Sequence, residues 1–423
     1  MMLGSMLIGM LLLLAIGVPV AVAIGLSAVG PLLIFSDTPP LLIVQQYFVA
    51  LDSFPLVAIP LFILAGNIMQ VGGIAERMLA LAKAFVGHLP GGLAATCVLT
   101  CLIFSAVSGS SVATAYAIGG ILIPAMVKSG YPAGFAAALQ ATSAELAVIL
   151  PPSISLILFG ISTNTSIGDL FIAGIGPGLL IAAALMLSVV LYSFLRGYKG
   201  ENAREPIIPA LRQGIAALMM PVIILGGIYS GIFTPTEAAV VAVAYALVIS
   251  LFFYRTLKIS ALWSILRTTA LSTAFIMFTI ASAGLFSYLL EQTGGAQVIA
   301  SWMRDNFDHA WTFLLAVNLL LLVVGTFAET AVSILVMAPL LTPVAVAMGI
   351  DPVHFGLIMV INLALGMITP PVAVNLFAVC SVARIKLQEL IPYLLPMMAV
   401  MIVCLMIVSY VPAISVGFLG IMK

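Results

Sequence analysis

The residues best equipped for chemistry in this chain are hydroxyls and carboxyls set in apolar sequence. One group is Ser108-Gly109-Ser110-Ser111 with Thr114 just behind it. The other is Gly325-Thr326 with Glu329-Thr330 and Ser333. Each is followed at a distance by a proline doublet, Pro151-Pro152 and Pro370-Pro371. Proline removes a backbone donor and disfavours helix at the residue before it, so carbonyls are freed at each doublet. Hydroxyls and free carbonyls together make an all-oxygen environment, which suits a small hard cation such as sodium. A plainer reading has Ser110, Ser111 and Thr330 capping the half-helices that follow them, and the two readings are compatible.

Three acidic residues lie in or beside apolar runs, where a charge at a helix centre costs about 2.5–3.5 kcal/mol on insertion scales. Glu237 has a structural explanation, because Thr234-Pro235-Thr236-Glu237 reads as a capping box with proline at the first helical position. Glu329 belongs either to a cap begun by Thr326 or to the site itself. Glu145, six residues before Pro151, has no basic neighbour in sequence. It carries a proton, steadies the site or pairs with a distant hydroxyl. Apart from Lys128 and Arg384 no basic residue lies near either turn or doublet. An anionic substrate would then fall to half-helix N-termini, hydroxyls, Asn375 and bound cations. His88, His309 and His354 fall near predicted interfaces, which argues against a histidine relay. Cys97 and Cys101 share a helix face and read as small buried residues; with Cys380 and Cys404 they form no metal-ligand pattern.

Both polar groups belong to one repeated pattern. Pro124 and Pro151 are 27 residues apart, and so are Pro343 and Pro370. Gly130 and Gly349 share the 219-residue offset that carries Ser110 onto Glu329, Ser111 onto Thr330 and Thr114 onto Ser333. Three landmarks in register mark an internal duplication. The 423 residues are 64% hydrophobic and 7% charged, with no formal net charge. A water-soluble surface cannot be built from that composition, and apolar runs of the roughly 20 residues that a bilayer core demands recur along the chain. The fold class is therefore an all-α polytopic membrane protein in a lipid bilayer. Its neutrality argues against nucleic acid or any other polyelectrolyte as a partner.

Taken in order, the pattern predicts one retained spanning helix from Met2 to Phe35, since no basic segment precedes it. Ser36-Asp37-Thr38-Pro39-Pro40 ends it. A second span covers Phe54 to Gln70, and an interfacial helix covers Ile74 to Leu89. Two half-length runs, Gly92–Val107 and Val112–Lys128, flank the first polar turn and predict a re-entrant hairpin with its tip at mid-membrane. The long segment from Pro132 to Ile167 predicts a helix broken at Pro151-Pro152, tolerated at that depth only where protein or a water-filled cavity satisfies the backbone. A span from Leu170 to Leu195 completes the first copy. The hydrophilic loop Arg196–Arg212, spans Gly214–Ile232 and Pro235–Tyr254, and a basic link with Arg255, Lys258 and Arg267 follow. The second copy then has a span at Leu271–Leu290, an interfacial stretch with Arg304, Asp305 and Asp308, and a hairpin about Gly325–Thr330. A broken helix over Asp351–Arg384 and a last span to about Val411 complete it.

The resulting divisions are 1–53 (N-terminal scaffold helix and link), 54–195 (first repeat), 196–270 (loop, two linking spans and basic link), 271–412 (second repeat) and 413–423 (tail). Hairpins contribute no crossing, so the count places twelve Lys and Arg residues on the N-terminal side. Only Arg304 and Lys423 fall on the other. By the positive-inside rule the N-terminus is cytoplasmic and the C-terminus outside. The repeats are then inverted, with hairpins entering from opposite faces. That is the pattern of alternating-access secondary transporters with sites at the repeat interface.

The sequence resembles the large membrane subunit of the TRAP (tripartite ATP-independent periplasmic) transporters over nearly its whole length. The resemblance is strongest in Pro60-Leu61-Phe62-Ile63-Leu64-Ala65-Gly66, Ser108-Gly109-Ser110-Ser111-Val112-Ala113-Thr114, Ile149-Leu150-Pro151-Pro152-Ser153 and Ile368-Thr369-Pro370-Pro371. It implies a bacterial inner-membrane permease and not an enzyme: an elevator-type, sodium-driven importer of organic acids such as sialic acid or C4-dicarboxylates. It further implies two partners, a small four-helix membrane subunit and a periplasmic substrate-binding protein, and no organic cofactor. By matching motif positions, two or more sodium ions would lie at Ser108, Gly109, Ser110 and Ser111 with Leu150 and Pro151, and at Gly325 and Thr326 with Met367, Ile368 and Thr369. Thr114, Pro152, Ser153, Glu329, Thr330, Ser333, Pro371 and Asn375 are the candidates to hold the substrate. One alternative is a stand-alone divalent-anion/sodium symporter on the same architecture. An intramembrane serine protease would need a histidine at the depth of Ser108-Gly109-Ser110, and a channel is disfavoured by paired broken helices.

Overall fold

The computed structural model describes residues 2–35, 39–198, 206–295, 301, 307, 309–370 and 373–422. Ser36-Asp37-Thr38, Arg304, Asp305, Asp308, Pro371 and Lys423, all named above, lie outside the described residues, as do Lys199 and Arg204 of the hydrophilic loop. Among those described there is no strand. Nine described helices are long and apolar enough to cross a bilayer, or ten if Ala133–Ile149 and Ile154–Thr163, bent by 41°, count as one span. Large apolar side chains face outward, with Ile208 81% and Trp263 77% exposed. In water such a surface would drive aggregation; in lipid it is the solvent contact.

The first apolar run is not one helix but two, α1 (Met2–Ala15) and α2 (Val20–Phe35). Gly17, at φ 82°, turns the chain between them. The helices fold back on each other, so that a Cβ at Gly9 would lie 3.9 Å from Ser27 Cβ. Glycine takes a positive φ without steric cost, and this one turn signal is easily lost inside continuous apolar sequence. A hairpin returns the chain to the side it left. The crossing count that placed the N-terminus is therefore wrong by one.

Next come α3 (Pro40–Leu51), α4 (Ala58–Val71), α5 (Ile74–Val86), α6 (Gly92–Ser108) and α7 (Ser111–Lys128). The first broken helix is α8 (Ala133–Ala144), the short α9 (Leu146–Ile149) and α10 (Ile154–Thr163), and α11 (Ile167–Arg196) follows it. The second half has α12 (Ile207–Tyr229), α13 (Pro235–Val248), α14 (Ile259–Gln292), α15 (Ala310–Phe327), α16 (Thr330–Ala347), α17 (Pro352–Gly366), α18 (Val374–Ala383) and α19 (Leu387–Tyr410). The 219-residue offset carries α2 onto α13 and the α3–α4 pair onto α14. The two spans read as linkers are thus the second copies of α1 and α2, and the duplication takes in nearly the whole chain. The start of α14 was expected at Leu271, but it begins at Ile259. No proline interrupts it, whereas Pro55 parts α3 from α4, and Arg267 rides on its exposed face.

Packing divides the helices into two groups. In one, α4 lies on α13, and α14 packs against α2, α3 and α4. In the other, α8 is held by α7 and α19, α18 lies on α7, and α17 packs on α15 and α16. Between the groups runs α5, whose apolar face (Ile74, Met78, Leu81) is buried where it meets α6 and α12. Its Arg77 guanidinium stands 3.7 Å from the centre of the Tyr254 ring. Charged on one side and apolar on the other, α5 has the character the sequence predicts.

Candidate functional site

The first hairpin tip is closed by its own hydroxyls. Gly109 ends α6 at φ 61°, and extended Ser110 caps α7 by accepting from the Ala113 amide at 3.4 Å. The Ser110 carbonyl accepts from the Ser108 hydroxyl at 3.1 Å and the Thr114 hydroxyl at 2.9 Å. A Cβ on Gly109 would lie 2.9 Å from the Pro152 carbonyl oxygen, so the tip abuts the first break. There Ser153 caps α10 through the Leu156 amide at 3.3 Å and donates to the Val148 carbonyl at 2.5 Å. Two half-helix N-termini, those of α7 and α10, are thus brought to one place, where their positive ends favour an anion or the oxygens around a cation.

The second tip lacks that closure. Glu329 stands at the N-cap position of α16 but its side chain accepts from no backbone amide. The Thr326 hydroxyl turns back to the Val323 carbonyl at 2.7 Å, and the Thr330 hydroxyl donates to the Met367 sulfur at 2.9 Å. Backbone contact holds the tip to the second break, since a Cβ on Gly325 would stand 3.0 Å from Gly366 Cα. Beyond Gly366, the Thr369 hydroxyl donates to the Leu365 carbonyl at 2.7 Å, and the Asn375 amide N–H to the Met367 carbonyl at 3.3 Å.

A cavity of about 650 Å³ lies between the two tips. Ser108, Gly109, Ser110 and Ser111 line it from one side, and Glu329, Thr330 and Met367 from the other. The structure therefore brings together residues that are more than 200 positions apart in sequence. The remaining candidates stand behind this lining. Thr114, Leu150, Pro151, Pro152, Ser153, Gly325, Thr326, Ser333, Ile368 and Asn375 are buried off the cavity, and Thr369 is half-buried. The Ser333 hydroxyl has no hydrogen-bond partner there.

Sequence reasoning missed the rest of the polar lining. Asn67 and Gln70 of α4, Ser155 of α10, and Thr268 and Ser272 of α14 also line the cavity. Asn67 and Gln70 sit three apart, and Thr268 and Ser272 four apart, so each pair shares a helix face. That spacing was the available signal. Asn67 also donates to the Thr269 hydroxyl at 2.9 Å, joining α4 to its own repeat copy. No Lys, Arg or His is among the described lining residues.

The other polar residues singled out in the sequence lie off the cavity lining. Glu237 accepts from the Thr234 amide at 2.8 Å while the Thr234 hydroxyl caps the Glu237 amide at 3.3 Å, the capping box the sequence predicts. Cys97 and Cys101 are buried against Gln140. His354, expected near an interface, is 2% exposed, with Nδ1 2.7 Å from the Ser415 hydroxyl. Glu145 meets both a hydroxyl and an amide, its carboxyl adjoining Ser111 and its Oε1 accepting from the Asn375 side chain across 230 positions of sequence. That bond ties the first broken helix to the second.

The comparisons fit this architecture. Residues 7–414 match the family model described as "Tripartite ATP-independent periplasmic transporter, DctM component". The C4-dicarboxylate TRAP transporter large permease protein DctM of Pseudomonas aeruginosa is 43% identical, over 93% of each chain. The sialic acid TRAP transporter large permease protein SiaM of Vibrio cholerae is 37% identical, over 97% of this chain and 96% of its own. An isethionate TRAP transporter permease protein, DctMQ of Oleidesulfovibrio alaskensis, is 42% identical over 97% of this chain, which spans 65% of that longer protein. Among solved structures, the YdaH transporter of Alcanivorax borkumensis has the same fold, with a TM-score of 0.62 at 15% identity over 90% of this chain and 88% of its own. The chain belongs to the DctM family, the large permease proteins of TRAP transporters.

Proposed function

We propose that this chain carries a small organic anion across the bacterial inner membrane, coupled to sodium, by moving the group built on the hairpins and broken helices against the group built on α4 and α14. The observation that carries this reading is the cavity. It lies where the two groups meet, both hairpin tips reach it, and the polar groups set in its largely apolar lining are hydroxyl, amide and carboxyl. Its 650 Å³ lies within the range of about 300–1,000 Å³ usual for small-molecule sites. C4-dicarboxylate, sialic acid and isethionate, the cargoes in the relatives' names, share an anionic group and little else. Lacking a basic lining residue, this site would hold such a group through half-helix N-termini and bound cations at the tips.

The partners follow from the same chemistry. A neutral chain cannot steer an anion from a distance, so capture falls to a periplasmic binding protein, with a small membrane subunit beside the permease. Reconstituted with both, the chain should take up substrate under an inward sodium gradient, lose uptake when potassium replaces sodium, and keep it when a pH gradient is collapsed. Saturable sodium-driven uptake by the isolated chain would mean a stand-alone symporter instead.

Orientation is revised by the α1–α2 hairpin. The basic residues keep their common side, which the positive-inside rule makes cytoplasmic. Three crossings separate that side from each terminus, so both termini face the periplasm. A cysteine placed before α1 should react with an impermeant reagent from outside, and one in Arg196–Arg212 only from inside. Reaction of both from one side would overturn this topology.

A further inference from the structure

The Glu145–Asn375 pair is left over once the cavity is described. Glu145 ends α8, and Asn375 stands in the first turn of α18. Both are fully buried. The Asn375 amide donates to Glu145 Oε1, which uses one polar atom of each. Glu145 Oε2 and Asn375 Oδ1 have no hydrogen-bond partner. Ser111, from the first hairpin tip, adjoins the same carboxyl and also lines the cavity.

A carboxylate sealed away from water costs several kcal/mol unless a counter-charge meets it. The side chains that act on Glu145, Asn375 and Ser111, are both uncharged. While Glu145 is ionised neither free oxygen can satisfy the other, because a carboxylate and an amide oxygen are both acceptors. Each belongs to the same planar group as an atom of the existing hydrogen bond. Carboxylate, amide carbonyl and hydroxyl oxygens are the ligands that hard cations take. We propose that Glu145 Oε2, Asn375 Oδ1 and the Ser111 hydroxyl form a further buried sodium site, behind the first hairpin tip. This deepens the sodium-coupled reading above and rests on it for the identity of the ion.

The site has no twin. The 219-residue offset pairs Glu145 with Ala364 and Asn375 with Leu156, both apolar, so the duplication supplies no second copy. Its ligands come from three elements: the α6–α7 tip and the two broken helices. An ion there locks them to one another, and Ser111 gives it a way in from the cavity.

Equilibrium binding of radioactive sodium to the full chain, purified with its small membrane subunit, tests this without relying on transport. Wild type should bind one more ion per chain than Glu145→Gln, whose neutral side chain still offers Asn375 a carbonyl. Should that variant fail to fold, Asn375→Ala is expected to weaken one class of sodium ion several-fold and leave the others unchanged. Equal, non-zero stoichiometry in wild type and Glu145→Gln would overturn the site alone. Absence of sodium binding in both would overturn the sodium-coupled reading with it. A Glu145 carboxyl that stays protonated across pH 6–8 at saturating sodium, read from its infrared carbonyl band against Glu145→Gln, would show that it holds a proton, and the sodium site would fall.

Discussion

At the first hairpin tip, side chains close the turn: Ser110 caps α7, and two further hydroxyls converge on the Ser110 carbonyl. At the second, Glu329 occupies the matching position without capping anything, and the closure comes from glycine backbone packed on glycine backbone. The duplication preserved the path of the chain and exchanged the means of holding it. A tip held by hydroxyls can trade those bonds for an ion's. One held by backbone contact keeps its shape regardless and leaves a carboxyl free in the cavity. The two tips are thus equivalent in place and unequal in chemistry.

The sharpest way to break this comparison is Gly366→Ala. Its Cβ would drive into the Gly325 backbone, and neither helix can yield without moving the tip. Overpacking of this kind costs about 1–3 kcal/mol or more. Uptake should be lost and thermal unfolding in detergent should move well down. An active, stable Gly366→Ala protein would mean that the second tip is not held by backbone contact.

Gly109→Ala should do less. It places a side chain at φ 61° and 2.9 Å from a single carbonyl, a strain of about 1–2 kcal/mol. Sodium activation of uptake should shift to higher concentration with the fold retained. Smaller again is Ser110→Ala, which removes a cap worth about 1 kcal/mol. It should lower the unfolding temperature modestly and weaken sodium activation several-fold. Glu329→Gln is the contrast. With no cap to lose, stability should stay within about 0.5 kcal/mol of wild type while uptake kinetics change. If Glu329→Gln unfolds as early as Ser110→Ala, the two tips are closed alike.

Much of this was written in the sequence. Composition fixes the solvent, because 64% hydrophobic residues can be buried only by adding lipid to the protein interior. Repeated spacing fixes the duplication, and the polar turns and proline doublets mark where helices must stop, since proline and glycine act on the backbone locally. The hairpins, both broken helices and the Glu237 cap follow from such local rules. Tertiary structure decided what depends on who faces whom. Gly17 is one turn residue in an unbroken apolar run, and only packing of α1 on α2 shows that the chain reverses there. Asn67 and Gln70 look like any polar pair on a helix until α14 and the tips close the cavity against them. Glu145 and Asn375 had no sequence link at all. Their pairing depends on two broken helices crossing, and a side chain's partner across 230 residues is set by that crossing and not by its neighbours in the chain.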